Sequence, residues 1–204
     1  YAAGHPPLPA FETAAFSDSM PRHWLLMNEK NPEMQAQDYH WNPRELEQTK
    51  LAVVGDAAAF RSAVNLLAKK AEQTPPDQGL DFALFDCSAC HHDLKQPSWR
   101  QMAGYEGPPG RPGLRRWSPA GLDLCLWYAG DTQDGRKTLR DEFAAKMGDL
   151  RSAFTSRPYG DAGQVTKAGH ALVQWTDDKL IAGLTKSDGA ATRYDTKAAL
   201  ALLK

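Results

Sequence analysis

Cysteine is scarce in this sequence, which has three cysteines among 204 residues and leaves no disulfide framework. An excess of charge of one sign is also lacking: 24 basic and 25 acidic residues give a net charge of -1. This balance excludes the basic surface of a nucleic-acid-binding domain. No apolar run approaches the roughly 20 residues that cross a bilayer, so we predict no transmembrane segment. A chain of this length can bury one good core.

One short motif carries specific chemistry, Cys87-Ser88-Ala89-Cys90-His91, which has the pattern C-x-x-C-H. This spacing is typical of covalent attachment of a c-type haem. Each thiol can add across one vinyl group of a porphyrin, and the histidine that follows can coordinate the iron as the proximal ligand. The sequence therefore predicts one haem c, bound covalently through Cys87 and Cys90, with His91 as an iron ligand.

Other chemistries of a cysteine pair fit less well but stay open. A zinc site would need a second pair of ligands, and the remaining cysteine, Cys125, lies in an apolar stretch where a small core residue is expected. A thioredoxin-like dithiol would need a βαβ unit, which no part of the sequence indicates. A disulfide across so small a loop is possible but uncommon.

Covalent attachment of haem generally takes place outside the cytoplasm. The chain begins at Tyr1 without Met, a basic segment or an apolar leader. We therefore expect a mature, exported or trimmed chain and an extracytoplasmic location, either periplasmic or secreted.

The apolar spacing predicts an all-α fold, specifically a helical c-type cytochrome domain with long Pro/Gly-rich loops that wrap the haem. We expect a single domain over residues 1–204. It comprises an extended N-terminal arm (1–43), a haem-binding core (44–130) and C-terminal helices (131–204). The predicted helices cover Glu12–Ser19, 44–73, Leu80–Asp93, 120–130, Gly135–Ser156, Asp161–Leu184 and Asp195–Leu203, with Asp161 as an N-cap.

Arginines and aromatic residues cluster in the Pro/Gly-rich segment 95–119. Guanidinium groups suit the two carboxylates of a haem, so Arg100 and Arg111 are candidate partners of the propionates. The alternative is that these arginines are solvated loop residues.

Several segments together resemble a known family. Residues 85–94, 98–101 and 107–112 look like the last haem segment of bacterial multihaem c-type cytochromes. Residues 4–8, 11–12 and 21–24 are similar to the preceding segment of that family, and 157–161 to the start of its helical tail. Members carry several C-x-x-C-H motifs, whereas this chain has one. It could be a C-terminal piece of a longer chain, a subunit that docks onto haem-bearing partners, or a single-haem form.

The sixth iron ligand decides the function. The resemblance implies that His5, in a Gly-His-Pro sequence, is an axial ligand, and its proline-stiffened arm has little entropy to lose. His170 lies in an apolar helix, where a core histidine is the more frequent case, and His92 is expected at the porphyrin edge or in solvent. The full set of candidates is His5, His23, His40, His92, His170, Met20, Met27, Met34, Met102 and Met147.

Two classes of function follow. A six-coordinate, low-spin haem would transfer electrons to redox partner proteins, which could include other haem-bearing subunits. The chain could also form an oligomer. An open iron site would instead serve an enzyme or sensor for peroxide or nitrogen oxides, with Arg100 or His23 as the distal acid–base group. A structural haem is a third alternative. The sequence favours the electron carrier over the enzyme.

Overall fold

The computed structural model describes residues 19–21, 46–85, 95–97, 102, 114, 119–155, 157, 159–186 and 193–202. Within these ranges the chain is helical and contains no β-strand, which confirms the predicted all-α class. A 3-10 turn covers Phe82–Leu84, and a π-helical turn over Thr176–Ile181 joins two of the helices. The helices are α1 (Glu47–Glu72), α2 (Pro119–Ala129), α3 (Gln133–Ser152), α4 (Ala162–Trp175), α5 (Ala182–Thr185) and α6 (Thr196–Ala201).

The 26-residue helix α1 is the centre of the fold and packs mainly against α4 and α2. Its buried side chains recur every three or four residues, as a helix with one core-facing side requires. Each large apolar side chain buried in this way contributes about 1.5–3 kcal/mol to stability. The buried residues of α1, small and large together, are Val53, Ala57, Phe60, Val64, Leu67, Ala68 and Ala71.

Small residues allow α1 to approach its neighbours closely. A Cβ atom added to Gly169 of α4 would lie 2.8 Å from Cβ of Ala68, so this crossing requires glycine. At the crossing with α2, Cys125 Sγ donates a hydrogen bond to the Val53 carbonyl oxygen at 3.2 Å. The two contacts explain why the buried face of α1 is rich in alanine and valine.

Helix α1 is also long and apolar enough to cross a membrane by composition alone, since an 18-residue window within Gln48–Glu72 has a mean hydropathy of 1.4. The core helix of a globular domain passes the same test. In this chain 33 % of the window is buried against the rest of the protein. The absence of a transmembrane segment stays a prediction.

Side-chain contacts join the C-terminal helices to one another and to α1. Trp175 Nε1 donates to Glu142 Oε2 at 2.7 Å, which links α4 to α3. Arg61 on α1 forms hydrogen bonds of 2.9–3.2 Å with both carboxylate oxygens of Asp177 in the π-helical turn. This pairing raises the pKa of Arg61 above its ordinary value. Residues distant in sequence are thereby held in one helical unit.

Two aspartates cap helices in the C-terminal part. Asp161 accepts a hydrogen bond from the Gln164 amide at 2.9 Å, which confirms the predicted N-cap of α4. Asp195 does the same for α6 by accepting from the Ala198 amide at 2.7 Å. Each cap satisfies one of the amide groups that the first turn of a helix leaves unpaired.

Most predicted helices are confirmed, with boundaries that move by a few residues. The predicted helix Leu80–Asp93 is wrong over residues 80–85, where the chain forms only the 3-10 turn and an antiparallel bridge between Phe85 and Leu114. Periodicity failed because Phe82 and Phe85 do not share a buried face: Phe82 is 66 % exposed, whereas Phe85 is 3 % exposed. Residues 86–93, and the predicted helix Glu12–Ser19 apart from Ser19, lie outside the described residues.

Candidate functional site

The three residues of the predicted haem attachment, Cys87, Cys90 and His91, lie outside the described residues. The same holds for the predicted axial ligand His5 and for the two predicted propionate partners, Arg100 and Arg111. The structure therefore neither brings these side chains together nor separates them. It does describe the chain up to Phe85, two residues before the first cysteine.

The chain that leads into the motif is held at both ends of its last described turn. Leu80 and Phe85 are each 3 % exposed. Between them the amides of Leu84 and Phe85 donate to the carbonyl oxygens of Asp81 and Phe82 at 3.0 and 3.1 Å. Because both apolar ends are buried and the turn between them is hydrogen-bonded, the backbone at Phe85 has a defined position.

Phe85 belongs to a group of four aromatic side chains, which we call the aromatic cluster. Its members are Phe82, Phe85, Phe154 and Tyr159. Phe85 makes edge contacts with Phe154 and Tyr159, with ring centroids 5.8 and 6.1 Å apart. Phe82 meets Tyr159 edge to face at 4.9 Å and 89°. These are the separations and angles that aromatic pairs favour. The cluster joins the segment before the motif to the connection between α3 and α4.

That connection depends on a glycine with a left-handed backbone. Gly160 has φ +83°, and a Cβ atom at this position would lie 2.7 Å from Phe154 Cε1 and 3.2 Å from Leu80 Cδ1. The next amide, that of Asp161, donates to the Ala153 carbonyl oxygen at 2.9 Å. Glycine is required here both for the backbone conformation and for the approach of Phe154. Sequence reasoning assigned Gly160 no role.

A second contact fixes the same connection to the chain that follows α1. Arg157 Nη1 donates to the Pro76 carbonyl oxygen at 2.7 Å. A Cβ atom on Gly79 would lie 3.2 Å from Cβ of Tyr159, so the two backbones pass close to each other. The chain before the motif is therefore braced by residues from the α3–α4 connection.

Cys125 is a buried core residue, as predicted. Its side chain is 0 % exposed, and Sγ is hydrogen-bonded to the Val53 carbonyl oxygen. Burial, with a smaller contribution from the negative charge of Asp56, raises the pKa of the thiol to about 12. A thiol with so high a pKa binds metals and electrophiles poorly.

His170, a candidate sixth ligand, is not in the core where it was expected. Its side chain is 41 % exposed, and Nε2 lies 3.9 Å from Glu72 Oε2 near the C-terminus of α1. Three candidate methionines are also described. Met102 and Met20 are 71 % and 38 % exposed, and Met147 is partly buried against the core. His23 and His40 lie outside the described residues, as do the other candidates, His92, Met27 and Met34.

No group of three or more His, Cys, Asp or Glu side chains in the described part of the chain could hold a metal ion. The donor atoms of the Cys87–His91 motif are therefore the set whose fit to a cofactor has to be tested. Two thiols and an imidazole within five residues fit a covalent haem, which needs two sulfur atoms for the porphyrin and one nitrogen for the iron. The buried Cys125 does not offer the additional thiolate that a cysteine-rich zinc site would use.

A cavity of about 420 Å³ lies at the other end of α3, and sequence reasoning missed it. Arg136 lies near the N-terminus of α3, and Phe154 lies just beyond its C-terminus. The rise of an α-helix places these two residues about 27 Å apart. The cavity is therefore remote from the aromatic cluster. Its lining residues are Trp127, Tyr128, Gly130, Asp131, Arg136, Arg193, Asp195, Lys197, Ala198 and Ala201.

The arginines of this cavity have a structural role at the C-terminus of α2. Arg136 Nε donates to the carbonyl oxygens of Trp127 and Gly130 at 3.0 and 3.1 Å. Arg193 Nη1 donates to those of Tyr128 and Ala129 at 2.8 and 3.2 Å. Cationic groups at this position satisfy the terminal carbonyls and oppose the negative end of the helix dipole. These contacts hold both arginines against the C-terminus of α2.

Comparison with protein-family models, curated proteins and solved structures finds no match to this chain. The class that the described structure defines is a helical protein built around one long central helix.

Proposed function

We propose that this protein binds one haem c covalently through Cys87 and Cys90, with His91 as the proximal iron ligand, and that it transfers electrons. The observation that carries the proposal is the Cys87-Ser88-Ala89-Cys90-His91 motif, because its residue types and spacing match the needs of the cofactor. The resemblance of the flanking segments to bacterial multihaem c-type cytochromes points to the same class.

Two features of the described structure support this proposal. The helical fold braces the chain at Phe85, so the motif starts from a fixed point on the protein. The third thiol, that of Cys125, is kept in the core by burial and a hydrogen bond. When bound, the haem iron supplies the one-electron couple. The protein's own residues would hold the porphyrin, supply the imidazole and limit the access of water.

The remaining assignments belong to the same proposal. Arg100 and Arg111 pair with the propionates, the Pro/Gly-rich loops wrap the haem, and His5 closes the sixth position to give a low-spin iron. Electrons pass to redox partner proteins, among them other haem-bearing subunits, outside the cytoplasm. His170 is a weaker candidate for the sixth position, because its imidazole already faces Glu72 at the edge of α4.

Variants of the three cysteines test the attachment. We expect Cys87→Ser and Cys90→Ser each to lose one thioether bond, which shifts the reduced haem band measured in alkaline pyridine. The double variant should lose covalent haem altogether. Cys125→Ala is the matched control, since it removes a cysteine outside the motif, and it should keep full haem content. Covalent haem in the double variant, or an unshifted haem band in both single variants, would contradict the proposal.

Carbon monoxide tests the coordination. A six-coordinate haem should give sharp low-spin bands when reduced and should not bind CO at neutral pH, since no position is open. His5→Ala should then bind CO, and His170→Ala should not. Rapid CO binding by the unmodified protein would instead favour the open-site enzyme or sensor, in which Arg100 or His23 serves as the distal group.

A further inference from the structure

Phe82 and Tyr159 form an exposed aromatic surface immediately before the haem motif. Phe82 is 66 % exposed and Tyr159 is 37 % exposed. They are the aromatic residues among the large apolar side chains that are exposed in the described part of the chain. The rings contact each other at 4.9 Å, so they form one surface and not two isolated residues.

The two exposed rings are held in place by contacts with the rest of the protein. Tyr159 also contacts the buried ring of Phe85, and its neighbour Gly160 is packed against Phe154. Phe82 belongs to the hydrogen-bonded 3-10 turn. An aromatic pair held in this way exposes apolar surface to water and cannot rearrange to bury it. Surfaces that bind an apolar group have this property.

Covalent geometry shows which group is near enough to cover the surface formed by Phe82 and Tyr159. Cys87 lies two positions after Phe85, so their Cα atoms lie within about 7 Å of each other. The Cα atoms of Phe82 and Cys87 lie within about 18 Å by the same reasoning. Residues 86–94 start at the edge of the aromatic cluster, and any group bound to Cys87 and Cys90 is tethered beside it.

We propose that Phe82 and Tyr159 form one wall of the haem pocket and contact the porphyrin carried by Cys87 and Cys90. The proposal rests on the proposed function. The two rings stand at 89° to each other, so a flat macrocycle that lies along one ring meets the other edge-on. Both arrangements are favourable between aromatic systems. The contact also excludes water from one edge of the haem, which affects its reduction potential.

Three variants and one control test this contact. Phe82→Ala removes the more exposed ring, the double variant Phe82→Ala/Tyr159→Ala removes both, and Tyr159→Phe keeps the ring while losing the hydroxyl. Leu200→Ala is the matched control, because Leu200 is a large apolar residue on α6 that is 54 % exposed. Covalent haem content, measured by mass, is determined for every variant before the pocket is examined.

Circular dichroism in the Soret region reports directly on aromatic rings near the porphyrin. We expect Phe82→Ala to lose about half of the Soret dichroism and the double variant to lose more, through loss of coupled ring contacts. The reduction potential should fall in the same order, because added water favours the more highly charged ferric haem. Tyr159→Phe and Leu200→Ala should match the unmodified protein in both measurements.

The outcomes separate the two proposals. An unmodified chain without covalent haem overturns the proposed function and this inference with it. Full haem content in Phe82→Ala, with unchanged Soret dichroism and reduction potential, overturns the proposed contact of Phe82 and Tyr159 with the porphyrin. The proposed function is unaffected by that result. A shift from dimer to monomer in Phe82→Ala, with the haem signals unchanged, assigns the surface to a second copy of the chain and also overturns it. Far-ultraviolet dichroism confirms that each variant is folded.

Discussion

Replacement of Gly160 by alanine is expected to destabilise the part of the fold that leads into the motif. The backbone at Gly160 has φ +83°, which costs a residue with a side chain about 1–2 kcal/mol. The new Cβ atom would also lie 2.7 Å from Phe154 Cε1. Forcing an extra carbon into a packed site costs about 1–3 kcal/mol. We therefore expect Gly160→Ala to lower the free energy of unfolding by about 2–5 kcal/mol.

Gly148→Ala is the matched control for this prediction. Gly148 lies within α3, and a Cβ atom there would meet no heavy atom within 4 Å. Alanine is favoured over glycine inside a helix by about 0.5–1 kcal/mol, so this variant should be stabilised. Urea unfolding followed by circular dichroism measures both changes. A Gly160→Ala protein as stable as the unmodified one would refute the assignment of the left-handed turn and of its contact with Phe154.

Two further predictions concern other described residues. Asp161→Ala should lower the free energy of unfolding by about 1 kcal/mol, because the Gln164 amide loses its acceptor, whereas Asp161→Asn should keep most of that stability; equal losses in thermal unfolding would contradict the cap. Cys125 should resist thiol reagents in the folded protein at neutral pH. Because its folded pKa of about 12 lies above the ordinary value of 9.0, stability should fall as the pH rises from about 9 towards 12, and Cys125→Ala should reduce this slope.

Local sequence signals predicted the helices well because each has its own boundary chemistry. Pro43 precedes α1 and the Pro75–Pro76 pair follows it, and aspartates precede α4 and α6. The buried face of α1 was less predictable. Leu51 fits the helical spacing of apolar residues in this segment, yet it is 53 % exposed, and Val53 and Ala57 are buried instead. The close crossing with α2 selects small side chains, and a list of large apolar residues does not reveal such a crossing.

Non-local contacts account for what sequence reasoning missed near the candidate site. The three-residue spacing of Phe82 and Phe85 suits a helix, yet Phe85 instead pairs with Leu114, 29 positions later. Gly160 and Tyr159 are 74 or more positions along the chain from the 80–85 segment, and they contact its residues only in the folded protein. The π-helical turn likewise coincides with the ion pair between Asp177 and the distant Arg61. The C-x-x-C-H motif could be recognised because all of its functional residues lie within five positions of the sequence.

The mass of the intact polypeptide after denaturation tests the central claim most directly. Protein produced together with a haem-attachment system outside the cytoplasm should carry the added mass of one haem, and the added mass should persist in denaturant because the bonds to Cys87 and Cys90 are covalent. The bare polypeptide mass in a sample produced under those conditions would contradict the claim.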